Sequence, residues 1–369
     1  MLIARSPVRI SFGGGGTDLP AYYQRFGGAV LSTSINKYFY TILQKRSDGK
    51  IQVISSDLRV IETWRDISRM EIKSSELAIP LSAIKELGCK ISVDMFLASE
   101  ILAGTGLGSS ASVCVGVLKS LAAYLDLPLS KYELAERAFH IARNVLGKPV
   151  GKQDEYAAAF GGLNFITFNQ DGSTLVEPIT LRSDHLREFE SNLMLFFTGV
   201  AHDSWKLLQD QEKSTQDEVT STVESLHLLR ELAEQMRRTL LKGDVREFGT
   251  LLHQGWEAKK KISSQISNSL IDEAYALARQ NGALGGKIAG AGGGGFLLLF
   301  CEEKHQEAVR QAMTKLQLRE MAFHLDFEGA EVVVNDPFID GDEKCGMRWT
   351  FAPFLHGTAS QATSFSYFG

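Results

Sequence analysis

Three glycine-rich segments are spread along the 369 residues: FGGGGTD (Phe12 to Asp18), AGTGLGSSAS (Ala103 to Ser112) and KIAGAGGGGF (Lys287 to Phe296). Each adjoins a strand or helix signal, so the fold has to bring bare backbone into three places. Glycine allows this, because without a Cβ the N–H groups can turn toward an anion. The second segment runs straight into a helix pattern, in which Val113, Val117, Leu121 and Leu125 recur every four residues. A helix start offers unpaired N–H groups and the positive end of the dipole, and Ser109, Ser110 and Ser112 add hydroxyls. A phosphate can be held there without the lysine of a Walker-type loop. Taken singly, each segment reads more readily as a tight turn between packed elements.

Strands and helices mix in both halves of the chain. Ala29 to Gln44 reads as a strand, Ser47 to Lys50 as a turn and Ile51 to Ile54 as the returning strand of a hairpin. Lys90 to Ala98 is a strand leading into the second glycine segment. Ser130 and Glu133 form a capping box for a helix that buries Leu134, Ala138, Ile141 and Val145 and stops at Gly147 and Pro149. Gly161 to Leu181 is a second hairpin. Asn192 to Gly199 is a buried strand, Asp203 to Lys242 one long helix, and Phe248 to Lys261 and Leu270 to Asn281 are further helices. Ala330 to Val334 is a last strand. A composition shift near residues 182–192 divides the chain into residues 1–185 and 186–334, followed by a tail, 335–369, with no period.

The formal net charge of −5 offers no basic surplus, so no nucleic-acid partner is expected. Cys89, Cys114, Cys301 and Cys345 lie far apart with no CxxC pair, which fits neither a zinc site nor a disulfide framework and points to a reducing cytoplasm. MLIARSPVRI has no long apolar run after its arginines, so no secretory leader is expected. FLLLFC is too short to span a bilayer, and no membrane partner is expected.

The second segment resembles the phosphate-binding motif of the GHMP kinases (galactokinase, homoserine kinase, mevalonate kinase, phosphomevalonate kinase), written P-x-x-x-G-L-G-S-S-A. SPVRISFGGGGTD resembles the family's first motif and KIAGAGGGGFLLLF its third, in matching order, over roughly residues 1–334. GGGGTDLPAYYQRFGGAVLSTSINKY, GKQDEYAAAFGGLNF and GWEAKK resemble the branch of sugar kinases like D-glycero-D-manno-heptose 7-phosphate kinase. The resemblance implies a two-lobed α+β fold, with which the mixing of strands and helices agrees, with an N-terminal lobe like ribosomal S5 domain 2 over 1–185 and a ferredoxin-like C-terminal lobe over 186–334. It implies transfer of the γ-phosphate of ATP, with Mg²⁺, to a hydroxyl of a sugar or sugar phosphate. A heptose 7-phosphate comes first, and a fucose or galactose kinase is the alternative.

Carried over by residue, the resemblance assigns ATP to Gly104, Thr105, Gly106, Leu107, Gly108, Ser109 and Ser110, with Ser110 also facing Mg²⁺. Asp154, in Gly151-Lys152-Gln153-Asp154, becomes the base that accepts the hydroxyl proton, and Arg9, the first-motif arginine, a second catalytic residue. Gly14, Gly15, Thr17, Asp18, Gly290 and Gly292 fall on the substrate side. Read without the family, Arg9 is a surface or ion-pair residue, Asp18 caps a helix over Ala21 to Phe26, and Asp154 caps one over Glu155 to Phe160. A phosphate on the substrate needs cations, for which Arg25, Lys37, Lys259 and Lys260 are candidates.

The chain departs from the family pattern where it matters for Mg²⁺. Family members carry a glutamate about twelve residues before the catalytic aspartate, and that position holds Ala142. At about 100° per residue, Glu136 projects roughly 120° and Glu133 roughly 180° from it, so neither shares its face. Leu102 replaces the second-motif proline. Glu155 replaces a glutamine, adds negative charge beside the candidate base, and is expected to point away from the site. A nucleotide-binding protein that has lost catalysis is therefore the competing class.

Overall fold

The structure is a computed structural model, which describes residues 1–68, 72–88, 91–199 and 204–336. The first elements are β1 (Leu2–Gly13), α1 (Pro20–Phe26), β2 (Gly28–Lys45), β3 (Ile51–Ser55), β4 (Val60–Trp64), a 3₁₀ turn at Ile72–Ser74, α2 (Ala78–Glu86) and β5 (Val93–Ser99). Past the second glycine segment come α3 (Ser109–Tyr124), α4 (Lys131–His140), a π-helical turn over Ile141–Val145, α5 (Gln153–Phe160), β6 (Leu163–Phe168), β7 (Thr174–Pro178) and α6 (Ser183–Ser191). The remaining elements are β8 (Leu193–Phe197), α7 (Ser204–Gln216), α8 (Thr220–Lys242), α9 (Val245–Lys260), α10 (Ser269–Gln280), β9 (Ala283–Ile288), β10 (Phe296–Cys301), α11 (Glu303–Lys315), β11 (Arg319–Glu320) and β12 (Glu331–Asn335).

These build two sheets. The larger has eight strands in the order β12-β1-β2-β5-β3-β4, with β6 on β2 and β7 on β6. Strand β2 is long enough to serve two partners on one edge: Gly28 to Thr33 pairs with β6, and Phe39 to Lys45 pairs with β5. The smaller sheet is antiparallel in the order β11-β8-β10-β9, the strand arrangement of a ferredoxin-like β-α-β-β-α-β unit. The fold is thus the expected α+β architecture with two sheets. Strand β12, although late in the chain, returns to pair with β1.

Two expected elements differ. The first hairpin does not form, because β5 lies between β2 and β3, and β3 runs parallel to β5. A turn signal reports a reversal but not the neighbour, and burial chose it. Val53, Val93 and Met95 are fully buried side by side only with β5 inside the sheet. The long helix over 203–242 is two helices, broken where Glu218 takes a positive φ of 54°. No glycine or proline marks that break, so periodicity ran across it. The second hairpin forms as β6–β7, and the Ser130–Glu133 capping box is present on α4. Residues 337–369 of the tail, with Cys345, and Cys89 lie outside the described residues. No helix among the described residues is long and apolar enough to cross a membrane.

Helices α3 and α5 pack on one face of β1 and β2, and α8 and α9 on the other. This is why β1 is buried on both faces from Ser6 onward. The join between the sheets is aromatic. Phe248 on α9 meets Phe12 at 5.3 Å, Phe189 at 5.0 Å and Phe300 at 5.4 Å between ring centroids, the first two edge-on. Such contacts add to the area that the rings bury. Phe248→Ala is expected to lower unfolding free energy by about 3–5 kcal/mol; a urea midpoint unchanged from wild type would show that the join is dispensable.

Candidate active site

The end of β1 carries Arg9 inward, where it is sandwiched between the helical layers. Its backbone N–H donates to Leu107 O at 2.9 Å and its Nη1 to Gly106 O at 2.6 Å, which ties the second glycine segment to the sheet. The other guanidinium edge donates to both oxygens of Asp154, Nε to Oδ1 and Nη2 to Oδ2, each at 2.7 Å. This is the fork geometry in which arginine and carboxylate pair most strongly. The side chain of Arg9 is 6% exposed and that of Asp154 30%, so the carboxylate faces open space while its partner does not. Arg9 is therefore an ion-pair residue, as the family-free reading allowed, and its partner is the candidate base.

Asp154 stands in the first turn of α5, and Asp18 organises that helix start. The Asp18 carboxylate accepts from Gly16 N–H at 2.9 Å and from Gln153 N–H at 3.2 Å. A Cβ on Gly151 would fall 2.1 Å from its Oδ2, which is the physical reason for glycine in GKQD. Asp18 does not cap α1, whose N-cap is Leu19 followed by a proline; it caps α5 across the fold. Burial first, then the charge of Asp154, push its carboxyl above the usual range. Ser11 Oγ donates to Gln153 Oε1 at 2.7 Å, and the Gln153 amide donates to Asp154 Oδ1 at 3.3 Å.

A cavity of about 450 Å³ opens here, of the size that small ligands occupy. Arg9, Gly15, Asp18, Gly104, Gly106, Gly108, Ser109, Ser110, Asp154 and Gly290 line it. Gly108 is the N-cap of α3 and no side chain caps that helix, so its N-terminal amides are offered at the wall. The second and third glycine segments meet backbone to backbone: a Cβ on Gly106 would lie 2.4 Å from Ala289 O, and one on Gly290 2.7 Å from Gly106 Cα. The other candidates stand behind the wall. Thr17 is buried, with its hydroxyl on Gly14 O and Ala29 O, which pins the first loop to β2. Thr105 bonds Leu102 O, Leu107 is in the core, and Gly292 packs on Ile266.

Of the four candidate cations, Lys259 alone lines the cavity. Arg25 pairs with Glu218 and Lys260 with Glu257, and Lys37 is not in the wall. Lys259 Nζ donates to Gly290 O, and burial, aided by Arg9, pushes its ammonium down to about 8. Three wall residues went unforeseen. Lys148 is brought in by the π turn, since its N–H bonds Ala142 O at 2.9 Å, and its ammonium lies 4.8 Å from the Trp205 ring centre. Gln211, on α7, has a buried Nε2 without a hydrogen-bond partner. Gln153 completes the set. No motif flags Lys148 or Gln211, because the π turn and the packing of α7 are tertiary events, whereas Gln153 stands inside the GKQD segment without a role assigned to it there.

Glu155 corrects an expectation. It does not point away: it lines the same cavity as Ala142, is 2% exposed, and has a buried Oε2 with no hydrogen-bond partner. The cavity wraps the start of α5 widely enough to reach two successive residues about 100° apart. Burial first, then Asp154, push the Glu155 carboxyl well above the usual range, so the repulsion between these neighbours falls on the one that Arg9 does not bond. Glu136 is turned away as expected, accepting from Lys152 Nζ at 2.6 Å and Tyr156 OH at 2.5 Å. Among the described residues no three His, Cys, Asp or Glu gather into a preformed metal cage. Mg²⁺ bound with a nucleotide needs none, because phosphates and water fill most of its positions. One orphaned carboxylate oxygen and the Ser109 and Ser110 hydroxyls, from residues that line one cavity, fit that requirement.

The depressed Lys259 ammonium makes stability depend on pH. Its folded value of about 8 lies below the ordinary 10.5, so between these values the unfolded chain holds a proton that the folded one lacks. Stability then rises with pH across that window. Urea midpoints from pH 7.5 to 10 are expected to climb more steeply for wild type than for Lys259→Met; equal slopes would overturn the assignment.

Known proteins match this chain over most of its length. Residues 78–162 match the GHMP kinases N terminal domain, and residues 232–317 the GHMP kinases C terminal domain. The chain is 32% identical over 334 residues to a D-glycero-alpha-D-manno-heptose 7-phosphate kinase of Campylobacter jejuni, covering 89% of this chain and 97% of that one. It is 27% identical to an L-fucokinase/L-fucose-1-P guanylyltransferase of Bacteroides fragilis, over 83% of this chain and 35% of that one. The crystal structure of a D-glycero-D-manno-heptose 1-phosphate kinase from Bacteriodes thetaiotaomicron superposes with a TM-score of 0.76 at 30% identity, over 91% of this chain and 100% of that one. With both family domains in order and a relative matched nearly end to end, the chain belongs to the GHMP kinases.

Proposed function

We propose that this ATP-dependent kinase phosphorylates a hydroxyl of a sugar phosphate, a heptose 7-phosphate first. The observation that carries the chemistry is a carboxylate held in a fork by a buried arginine, at the open edge of a cavity walled by an uncapped helix N-terminus. The heptose assignment is supported by the two heptose phosphate kinases to which the chain is similar.

In this reading the nucleotide phosphates lie along Gly104 to Ser110, on amides and the α3 dipole. The substrate sits against Gly15, Asp18 and Gly290, with Gly14, Thr17 and Gly292 shaping the loops behind them. The hydroxyl oxygen attacks the γ-phosphorus, the bond from that phosphorus to the ADP oxygen breaks, and the hydroxyl proton passes to Asp154. Oδ1 accepts from Arg9 and Gln153, whereas Oδ2 bonds Arg9 alone and keeps a lone pair for the proton, and the guanidinium keeps the carboxylate charged and aimed. Mg²⁺, when bound beside Ser110, neutralises charge on the phosphates. Lys259 is the cation at hand for a phosphate on the substrate. Residues 1–185 and 186–334 form the two domains of this reading, and the reducing cytoplasm is its compartment.

A catalytically impaired nucleotide binder is the second reading, favoured by Ala142. ADP release with Mg-ATP and a panel of heptose 7-phosphate, heptose 1-phosphate, fucose and galactose separates the two. Release is expected to be fastest with the 7-phosphate; ATP binding without release on any sugar would sink the catalytic reading. Asp154→Asn is expected to lower turnover about 10²–10⁴-fold while ATP binding holds, and unchanged turnover would remove Asp154 from the base role.

A further inference from the structure

Ala142 and Glu155 exchange roles when considered together. The chain lacks a carboxylate at 142, where the resemblance calls for glutamate, and gains one at 155, where it calls for glutamine. These positions are thirteen residues apart in sequence (155 − 142) and line one cavity in space. Cys114 lies in the same wall, one turn along α3 from Ser110. The negative charge has therefore moved from the helix before the GKQD segment to the first turn of α5 without leaving the chamber.

The surroundings of Glu155 say that something is meant to meet it. Its Oε2 is buried and unpartnered, a costly state for a carboxylate. The nearest strong cations are engaged elsewhere: Arg9 is forked onto Asp154, and Lys152 is held by Glu136 and Gly172 O. Lys148 shares the cavity and feels the charge of Glu155, but it lies over the Trp205 ring and does not bond Oε2. A hard divalent cation that brings nucleotide phosphates and water as its other ligands needs one or two protein carboxylates. Among the carboxylates that line this cavity with Ser110, Asp18 and Asp154 have both oxygens bonded, and Glu155 keeps an Oε2 that nothing bonds.

We propose that Glu155 is the carboxylate through which this chain holds Mg²⁺ beside bound ATP, in place of the glutamate missing at position 142. The proposal rests on the kinase reading above. It makes the loss at 142 a relocation of the metal ligand and not a loss of metal binding.

The test uses the full chain, Mn²⁺ as a paramagnetic probe and a non-hydrolysable ATP analogue. Free Mn²⁺ is followed by electron paramagnetic resonance for wild type, Glu155→Gln and the double variant Ala142→Glu/Glu155→Gln. Glu155→Gln is expected to weaken Mn²⁺ binding to the nucleotide complex at least about tenfold, with affinity for the analogue in EDTA unchanged, which also shows that the variant is folded. The double variant is expected to recover most of the loss, because it restores one carboxylate to the same chamber. Equal Mn²⁺ affinity in wild type and Glu155→Gln, the result if Glu155 only balances Lys148, overturns the proposal and leaves the kinase reading standing. A loss that the double variant does not recover overturns the relocation. Failure of wild type to bind the analogue at all would sink the kinase reading, and the proposal with it.

Discussion

Arg9 donates to both oxygens of Asp154 and to the carbonyl of Gly106, so one buried guanidinium joins β1, the second glycine segment and α5. Little else in the site is set until those three are. The backbone of β1 adds the bond from Arg9 N–H to Leu107 O, which fixes the loop in line with the strand. With the loop fixed, Gly108 begins α3 at the cavity wall, and Gly106 meets Gly290 closely enough to bring the third segment against the second. A lysine in place of Arg9 would keep the charge but not the fork, and would leave one of these links unmade.

The same corner concentrates negative charge. Asp18, Asp154 and Glu155 lie around the first turn of α5, where the helix dipole favours them, yet two of the three are buried and pushed toward protonation. Facing them, Lys259 is buried and pushed toward neutrality. A fold selected for stability alone would not keep opposite charges desolvated in one chamber. Asp18 is partly compensated by two backbone N–H groups and Asp154 fully by Arg9, while Glu155 keeps an oxygen with no hydrogen-bond partner. That gradient of compensation separates the residue that builds the site, the residue that is held ready in it, and the one that waits for a ligand.

Much of this was legible along the chain. The order of the glycine segments, the helix after the second, the Ser130 capping box and the hairpin of β6 and β7 all rest on neighbours within a few residues. What failed was non-local. The turn at Ser47 to Lys50 was real, but β5 entered between the strands on either side of it. The helix expected over 203–242 breaks at Glu218, and α7 then carries Gln211 to the cavity from a segment that holds no motif.

The sequence by itself determined the chemistry that was available: amides at a helix start, an arginine and an aspartate for a forked pair, and an alanine where a glutamate belongs. Only the tertiary structure decided how that chemistry is distributed. Asp18 looked like a cap for the helix beside it and caps α5 instead, and Glu155 looked like a bystander and lines the cavity with Ala142. The physical reason is the same in both cases. Periodicity reports which face of a helix a side chain takes, whereas the partner of a buried charge is set by whichever element packs against that face, and those elements are distant in the chain.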